Sequence, residues 1–495
     1  MRSRHPFVVL TCVLTLYACH DSSAPAPVPA SVELVTAPPT SGPAGATLAT
    51  SPTFVVKDQN GNVMSGVSVT VVVSQGGGSL INAPTTSASG PTSVGQWTLG
   101  TTTGTNSLTI TVANIAPLTV IVTSAAGPIQ TLAIASGDAQ SALAGTSPSN
   151  PIRLSPTDQY GNRLDSQTAT FSIGAGGGAI ALTTAQSAPD GLITAPTWVF
   201  GKSAVPQQLI ATVGGKSVTV NAAVQTNYII DIRFWGPAMT PEQQAAFTSA
   251  ANRIRGIVVG SLPPDDATGA DPANCGVTGV PPLSEIIPGV VIYASIQSID
   301  GKGGTLAQAG PCYVRSSADL RTEIGEVEID AADIGSLTAG GSLIDVLTHE
   351  MLHVVGVGSF WNQKGLLRNF DTPTVEYTGA GGIQGCRETG GVTTCASAVP
   401  VENTGGQGTA NSHWRESVFG SELMTGYVNT GALPLSVMTV RSIEDLGYTV
   451  NPAGADPYNI FNGSLRQGAA SSLLSPLGVA WERSLPVGPF VLPRR

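Results

Sequence analysis

Charge is scarce in this chain: 11% of its 495 residues are Asp, Glu, Lys or Arg, and the 22 basic residues gather into no run. Against 32 acidic residues they leave a formal net charge of −10, which excludes a phosphate-tracking surface and with it nucleic acid as a partner. Aromatics are also few, at 5%, which suits short strands joined by turns better than helical bundles. Cysteine occurs six times and never as C-x-x-C, which removes the usual signature of a thiolate metal site. Histidine is rarer still, at five, and beyond residue 20 only His349, His353 and His413 remain. The N-terminal apolar run, about ten residues, is too short to cross a bilayer, and no later segment qualifies as a transmembrane helix.

What is abundant is glycine (59), proline (36) and Ser, Thr and Val, a composition of short strands joined by turns. The length calls for several domains, because single cores stop growing at about 250 to 300 residues.

The N-terminus carries Arg2 and Arg4, then an apolar run from Phe7 to Leu16, then Tyr17, Ala18 and Cys19. A plain secretory signal reads this way, and so does a bacterial lipoprotein signal, which small Ala18 before Cys19 resembles more closely. That resemblance implies a signal over residues 1–18, acylation at Cys19, a membrane as partner through that lipid anchor, and an extracytoplasmic or cell-surface location. Residues 19–30, rich in Ala, Pro and Ser, read as a tether. Export agrees with the remaining cysteines, Cys275, Cys312, Cys386 and Cys395, which predict two disulfides. Three pairings are open, and sequence proximity favours Cys275 with Cys312 and Cys386 with Cys395; zinc-thiolate binding is the rival.

The first half repeats. Asp58-Gln59-Asn60-Gly61-Asn62 returns as Asp158-Gln159-Tyr160-Gly161-Asn162, Gly76–Gly78 as Gly176–Gly178, and Trp97 as Trp198. Between these landmarks apolar and polar residues alternate with period two, the pattern of half-buried strands. Two copies of about 100 residues, 31–126 and 127–226, have the size of immunoglobulin-like sandwiches. On the recurring DQ-x-GN they resemble the bacterial Ig-like repeats of invasin-type surface proteins. Spacing and ligand binding are both open roles for them.

At Asn227 the texture changes to α+β. A strand in NYIIDIRFWG precedes a helix with Thr240 as N-cap, Pro241 in its first turn and Gln243 closing a capping box. Further along, Gly340 and Gly341 break the chain, Ser342 and Asp345 repeat the capping-box pattern, and LIDVLTHEMLHVV reads as an apolar helix ended by Gly356 and Gly358. His349 and His353 lie four apart on that helix, so both imidazoles leave one face, with Glu350 beside the first: the H-E-x-x-H arrangement for one zinc ion and a general base. A catalytic zinc takes three protein ligands, and the short extended pattern would put the third at Ser359, which cannot serve.

HEMLH with Gly356, then HWRESVFGSELM from His413 to Met424, then LSVMTVRSIEDLGY from Leu435 to Tyr448 together resemble the leishmanolysin family of metzincin zinc proteases, over about residues 227 to 450. In that family an insertion separates the helix from the third His. The resemblance implies a metzincin-type domain over 227–455, one Zn2+ held by His349, His353 and His413, Glu350 as catalytic acid/base, Met424 beneath the metal, and protein or peptide substrates. On sequence alone Met424 is equally a core residue, Tyr427 a structural Tyr or an aid to catalysis, and Asp345 and Asp445 outer carboxylates of the metal or caps and surface groups. No Cys lies between Cys19 and Cys275, so a thiol latch of the propeptide kind is excluded there. The Gly-rich stretch around Cys386 and Cys395 reads as a mobile clipped loop, and residues 456–495 as a small appendage or tail. The expected whole is two all-β sandwiches followed by an α+β zinc endopeptidase; the rival is a surface adhesin with an inactive protease-like domain.

Overall fold

The computed structural model describes residues 26–316, 318–406, 408–461 and 490–491. The signal segment, acylation at Cys19 and nearly all of the C-terminal appendage fall outside the described residues. No helix among the described residues is long and apolar enough to cross a membrane. The described chain divides into two compact units, one running to Thr131 and including Thr157–Leu164, the other comprising Leu132–Pro156 and everything from Asp165 onward.

Both repeats are built to one plan, antiparallel except that a short strand pairs parallel with the last strand of each, Ser41–Pro43 in the first and Gln140–Ala142 in the second. In the first, Pro29–Thr36, Thr53–Asp58 and Thr92–Ser93 form one sheet, and Ser41–Pro43, Leu118–Ala125, Gly104–Thr111 and Thr70–Gln75 the other. In the second, Thr131–Ser136, Arg153–Thr157 and Ile193–Thr194 form one sheet, and the other runs from Gln140–Ala142 through Lys216–Val224, Gln207–Val213 and Thr168–Ile173 to Thr184–Gln186. The repeated motifs make repeated contacts. The Asp58 carboxylate accepts from the backbone N–H groups of Asn60 and Asn62, both at 2.8 Å, and Asp158 accepts from Tyr160 and Asn162 at 2.8 and 2.9 Å. DQ-x-GN is therefore a side-chain-stapled turn, with Gly61 and Gly161 at positive φ. Trp97 and Trp198 are buried in their respective copies.

The remainder is α+β. Its sheet contains β1 (Ile230–Phe234), β2 (Val290–Gln297), β3 (Ala307–Val314), β4 (Thr322–Asp330) and β5 (Phe490–Val491), in the order β1-β2-β4-β3-β5. β1, β2 and β4 are parallel and β3 is antiparallel to β4. Between β1 and β2 runs α1 (Pro241–Ile257), which starts with the capping box of Thr240 and Gln243 and buries Phe247, Ile254 and Ile257. α2 (Ile334–Gly340) leads into α3 (Leu343–Val355), the helix bearing H-E-x-x-H, which packs on β4 so closely that Gly325 has no room for a side chain beside Val354. On the opposite sheet face, the disulfide Cys275–Cys312 fastens the 258–289 connection to β3.

Two local expectations fail. Ser342 caps nothing: its backbone N–H completes the C-terminus of α2 by bonding Leu337 O at 3.0 Å, its φ and ψ are helical, and its hydroxyl caps no α3 amide. The Gly-rich stretch is not a loop but α4 (Ala380–Glu388), with Cys386 joined to Cys395. Its glycines let it lie against α5 (Val437–Asp445): a Cβ at Gly385 would stand 2.6 Å from Met438 Cα.

The second sandwich is packed onto the α+β part within one compact unit. Asn451 Nδ2 donates to Ala144 O at 2.7 Å and to Gly256 O at 3.1 Å, Ala204 N donates to Asn252 O at 2.9 Å, and Asp456 pairs with Lys202 at 3.6 Å and Arg253 at 3.2 Å. A side chain at Gly256 would collide with Lys202 O. The backbones themselves are in contact.

Candidate metal centre

α3 supplies two imidazoles one turn apart, and a loop returning from α4 supplies the third. His349, His353 and His413 are all fully buried, and their Nε2 atoms lie 2.9, 3.1 and 3.1 Å from one another. Each ring is aimed by its other nitrogen. His349 Nδ1 donates to Leu423 O at 2.7 Å, His353 Nδ1 to Val357 O at 2.8 Å, and His413 Nδ1 to Thr409 O at 3.0 Å, with Ser412 Oγ also 3.1 Å away. A backbone carbonyl only accepts, so Nδ1 carries the proton and Nε2 presents a lone pair. Burial, the largest influence on all three, holds them neutral: His349 and His353 fall well below 6.5 and His413 to about 4.

Three lone pairs converging in a dry site repel one another unless a cation lies among them. Nitrogens bound to one tetrahedral zinc are about 3.3 Å apart, close to the spacing here. The donor set therefore fits zinc, and among the described residues it is the only group of three or more His, Cys, Asp or Glu arranged for a metal. Glu350 follows His349 on α3 and is equally buried. Ser359, where the shorter pattern would need its third ligand, instead donates from Oγ to His353 O at 2.9 Å and closes the helix end.

The segment carrying this centre matches a family model: residues 264–457 align with the leishmanolysin peptidase model. The segment is leishmanolysin-like. A leishmanolysin homologue from Crithidia fasciculata is 30% identical over 172 residues, which is 32% of this chain and 24% of the relative, so the chain spans about a quarter of that protein's length. Solved structures similar to the chain include the Escherichia coli adhesin FdeC (19% identity, TM-score 0.28, 40% of this chain and 66% of that one) and Yersinia pseudotuberculosis InvD (20%, 0.29, 41% and 58%). Invasin, described as a bacterial integrin-binding protein, is 19% identical, with a TM-score of 0.22 over 39% of each chain.

Within the leishmanolysin-like segment the other sequence candidates separate. Met424 is fully buried in the main core, and its carbonyl accepts from Trp414 N, next to His413, at 2.9 Å. Asp445 is away from the imidazoles: it caps α4, accepting from Gly381 N and Gly382 N at 2.9 and 3.0 Å and from Tyr377 Oη at 2.7 Å. Asp345 lines a cavity of about 200 Å3 with Arg253, Thr348 and Asp456, where burial and then Asp456 raise its carboxyl above the ordinary range. Tyr427 is half-buried.

Sequence reasoning missed Glu422. This fully buried carboxylate accepts from Met424 N at 2.6 Å, Ser436 N at 3.1 Å, and the hydroxyls of Ser436 and Thr439, both at 2.6 Å. Thr439 in turn accepts from Trp414 Nε1 at 2.8 Å. Glu422 thus anchors the backbone on either side of Leu423, the residue whose carbonyl aims His349. Its only sequence signal was an acid two residues before Met424 in an otherwise neutral stretch.

Proposed function

We propose that the protein is a zinc-dependent endopeptidase acting outside the cytoplasm. The observation that carries this is the convergence of three neutral, carbonyl-oriented imidazoles beside Glu350 in a leishmanolysin-like segment. His349, His353 and His413 would hold the ion, with Met424 buried in the main core and bonded through its carbonyl to Trp414 N. Zinc at such a site acidifies water and polarises a peptide carbonyl. Glu350 would take a proton on its carboxylate from the attacking water and return it to the nitrogen of the departing amine.

We assign protein or peptide substrates on the same ground, a bacterial surface location held through acylated Cys19, and a supporting role for the sandwiches. The test is proteolysis of an unstructured protein such as casein by the full mature chain, with zinc content measured. One zinc per chain is expected, with activity abolished by chelation and restored by zinc. Glu350→Gln should retain the metal and lose about 10²- to 10⁴-fold in kcat/KM, the usual contribution of a general acid/base. A parent without zinc, or a Glu350→Gln variant as fast as the parent, would refute the reading.

A further inference from the structure

The sheet face turned away from α3 holds a polar cluster that the peptidase reading does not use. Along β4, Val327 and Ile329 join the core with α3, whereas Ile324 joins the smaller core under the Cys275–Cys312 disulfide. By alternation Glu326 and Glu328 share the face of Ile324. They are two residues apart on a strand, about 7 Å, so their carboxylates can converge on one point.

Their neighbours in register add oxygen. On β2, Tyr293 lies opposite Glu326 and Ser295 opposite Glu328; on β3, Gln308 lies opposite Glu328. Gln308 Nε2 donates to Glu328 Oε2, which turns the amide towards the carboxylate. Ser295 and Glu326 are 0% exposed and Glu328 9%. No N–H group bonds either oxygen of Glu326, whose polar neighbour is the Glu328 carboxyl, and the buried Ser295 Oγ has no hydrogen-bond partner. Buried oxygens are normally matched by donors, and three on a single face without one, facing a second carboxyl, point to a missing positive partner. Arg233, next to Tyr293 in register, is occupied by Asp231 at 2.8 Å and Glu285 at 2.6 and 3.0 Å. The site is also roofed: a Cβ at Gly276, which follows disulfide-bonded Cys275, would stand 3.3 Å from Glu326 Oε2.

We propose that Glu326, Glu328 and Ser295 form a second cation site, for Ca2+, on the sheet face opposite the histidine centre. The donors are oxygens only, hard ligands with no imidazole or thiolate, and Ca2+ completes its six to eight contacts with backbone carbonyls and water. Glu328 at the margin of the cluster provides the approach. Without a cation the pair lowers its own repulsion by keeping a proton: burial first and Glu328 second push the Glu326 carboxyl up to about 9. The site is independent of the zinc reading, since it lies on other residues and the other side of the sheet.

The test uses the full mature chain stripped with a chelator and titrated calorimetrically with CaCl2, alongside thermal melts. One Ca2+ per chain is expected, with a melting temperature several degrees higher at saturation and a smaller effect from MgCl2. Glu326→Gln and Glu328→Gln, which remove charge but keep shape, should fold and lose that ion and that thermal shift, while His349→Ala should keep both. No Ca2+ bound by the parent at millimolar concentration would overturn the proposal in favour of a shared proton. Retention of Ca2+ by folded Gln variants, or its loss in His349→Ala, would overturn it too. Should Glu326→Gln fail to fold, the parent titration and Glu328→Gln at the margin decide.

Discussion

At the scale of residues, the candidate metal centre depends on main-chain acceptors and on the groups that hold them still. Glu422 does not reach the imidazoles, but it fixes the backbone around Leu423 O. Glu422→Gln replaces one accepting oxygen with a donor and turns it against Met424 N–H or against the Ser436 and Thr439 cluster. Zinc affinity is expected to fall about 10- to 100-fold, as for lost outer partners of metal-bound histidines. Competition with a chromogenic chelator measures this, at a temperature where circular dichroism shows the variant folded; an unchanged affinity would rule out the positioning role. Acid provides a second check. In metal-free protein, unfolded His413 titrates near 6.5 while the folded ring is held down to about 4. Between those values the unfolded chain binds more protons, so stability is complete above 6.5 and is lost as pH falls towards 4. His349 and His353 shift in the same direction. Urea midpoints of the chelated protein should therefore drop between about pH 7 and about pH 4.5, and less so in His413→Asn.

At the scale of elements, legibility followed the range of the forces involved. The capping box of Thr240 and Gln243 and the helix end at Gly356 were readable because the interacting groups lie within four residues of each other. The turn of DQ-x-GN is local in the same way. Ser342 and Asp345 had the right letters, but the preceding helix had already claimed the Ser342 backbone. α4 could not be read, since its glycines look like loop residues until α5, some fifty positions later, is laid against them. Glu422 was hidden for the same reason, with partners at Ser436 and Thr439. Gly385→Leu is expected to drive a side chain into Met438 and lower stability by about 3 kcal/mol or more, with α4 and α5 separating. A denaturant midpoint equal to that of the parent would contradict the backbone contact.

At the scale of the whole molecule, the second sandwich and the α+β part share one compact unit, and Asn451 stands at their junction. Asn451→Ala leaves Ala144 O and Gly256 O without that donor and is expected to cost about 1–3 kcal/mol. Calorimetry should show the shared melting transition of this unit shifted down or divided in two. A transition that neither moves nor splits would mean the junction contributes nothing. Two of the acceptors that aim the imidazoles, Val357 O and Thr409 O, lie four residues from the ring they hold, whereas Leu423 O lies 74 from His349 and reaches it only through the fold. Replacing the side chain at any of these positions leaves the carbonyl where it was, so the aim of the ligands is recorded in the path of the backbone and withstands drift in sequence. A copy with the 423 segment out of place leaves His349 without the carbonyl that aims it. If the centre takes zinc as proposed, loading of the ion would report that these segments have come together.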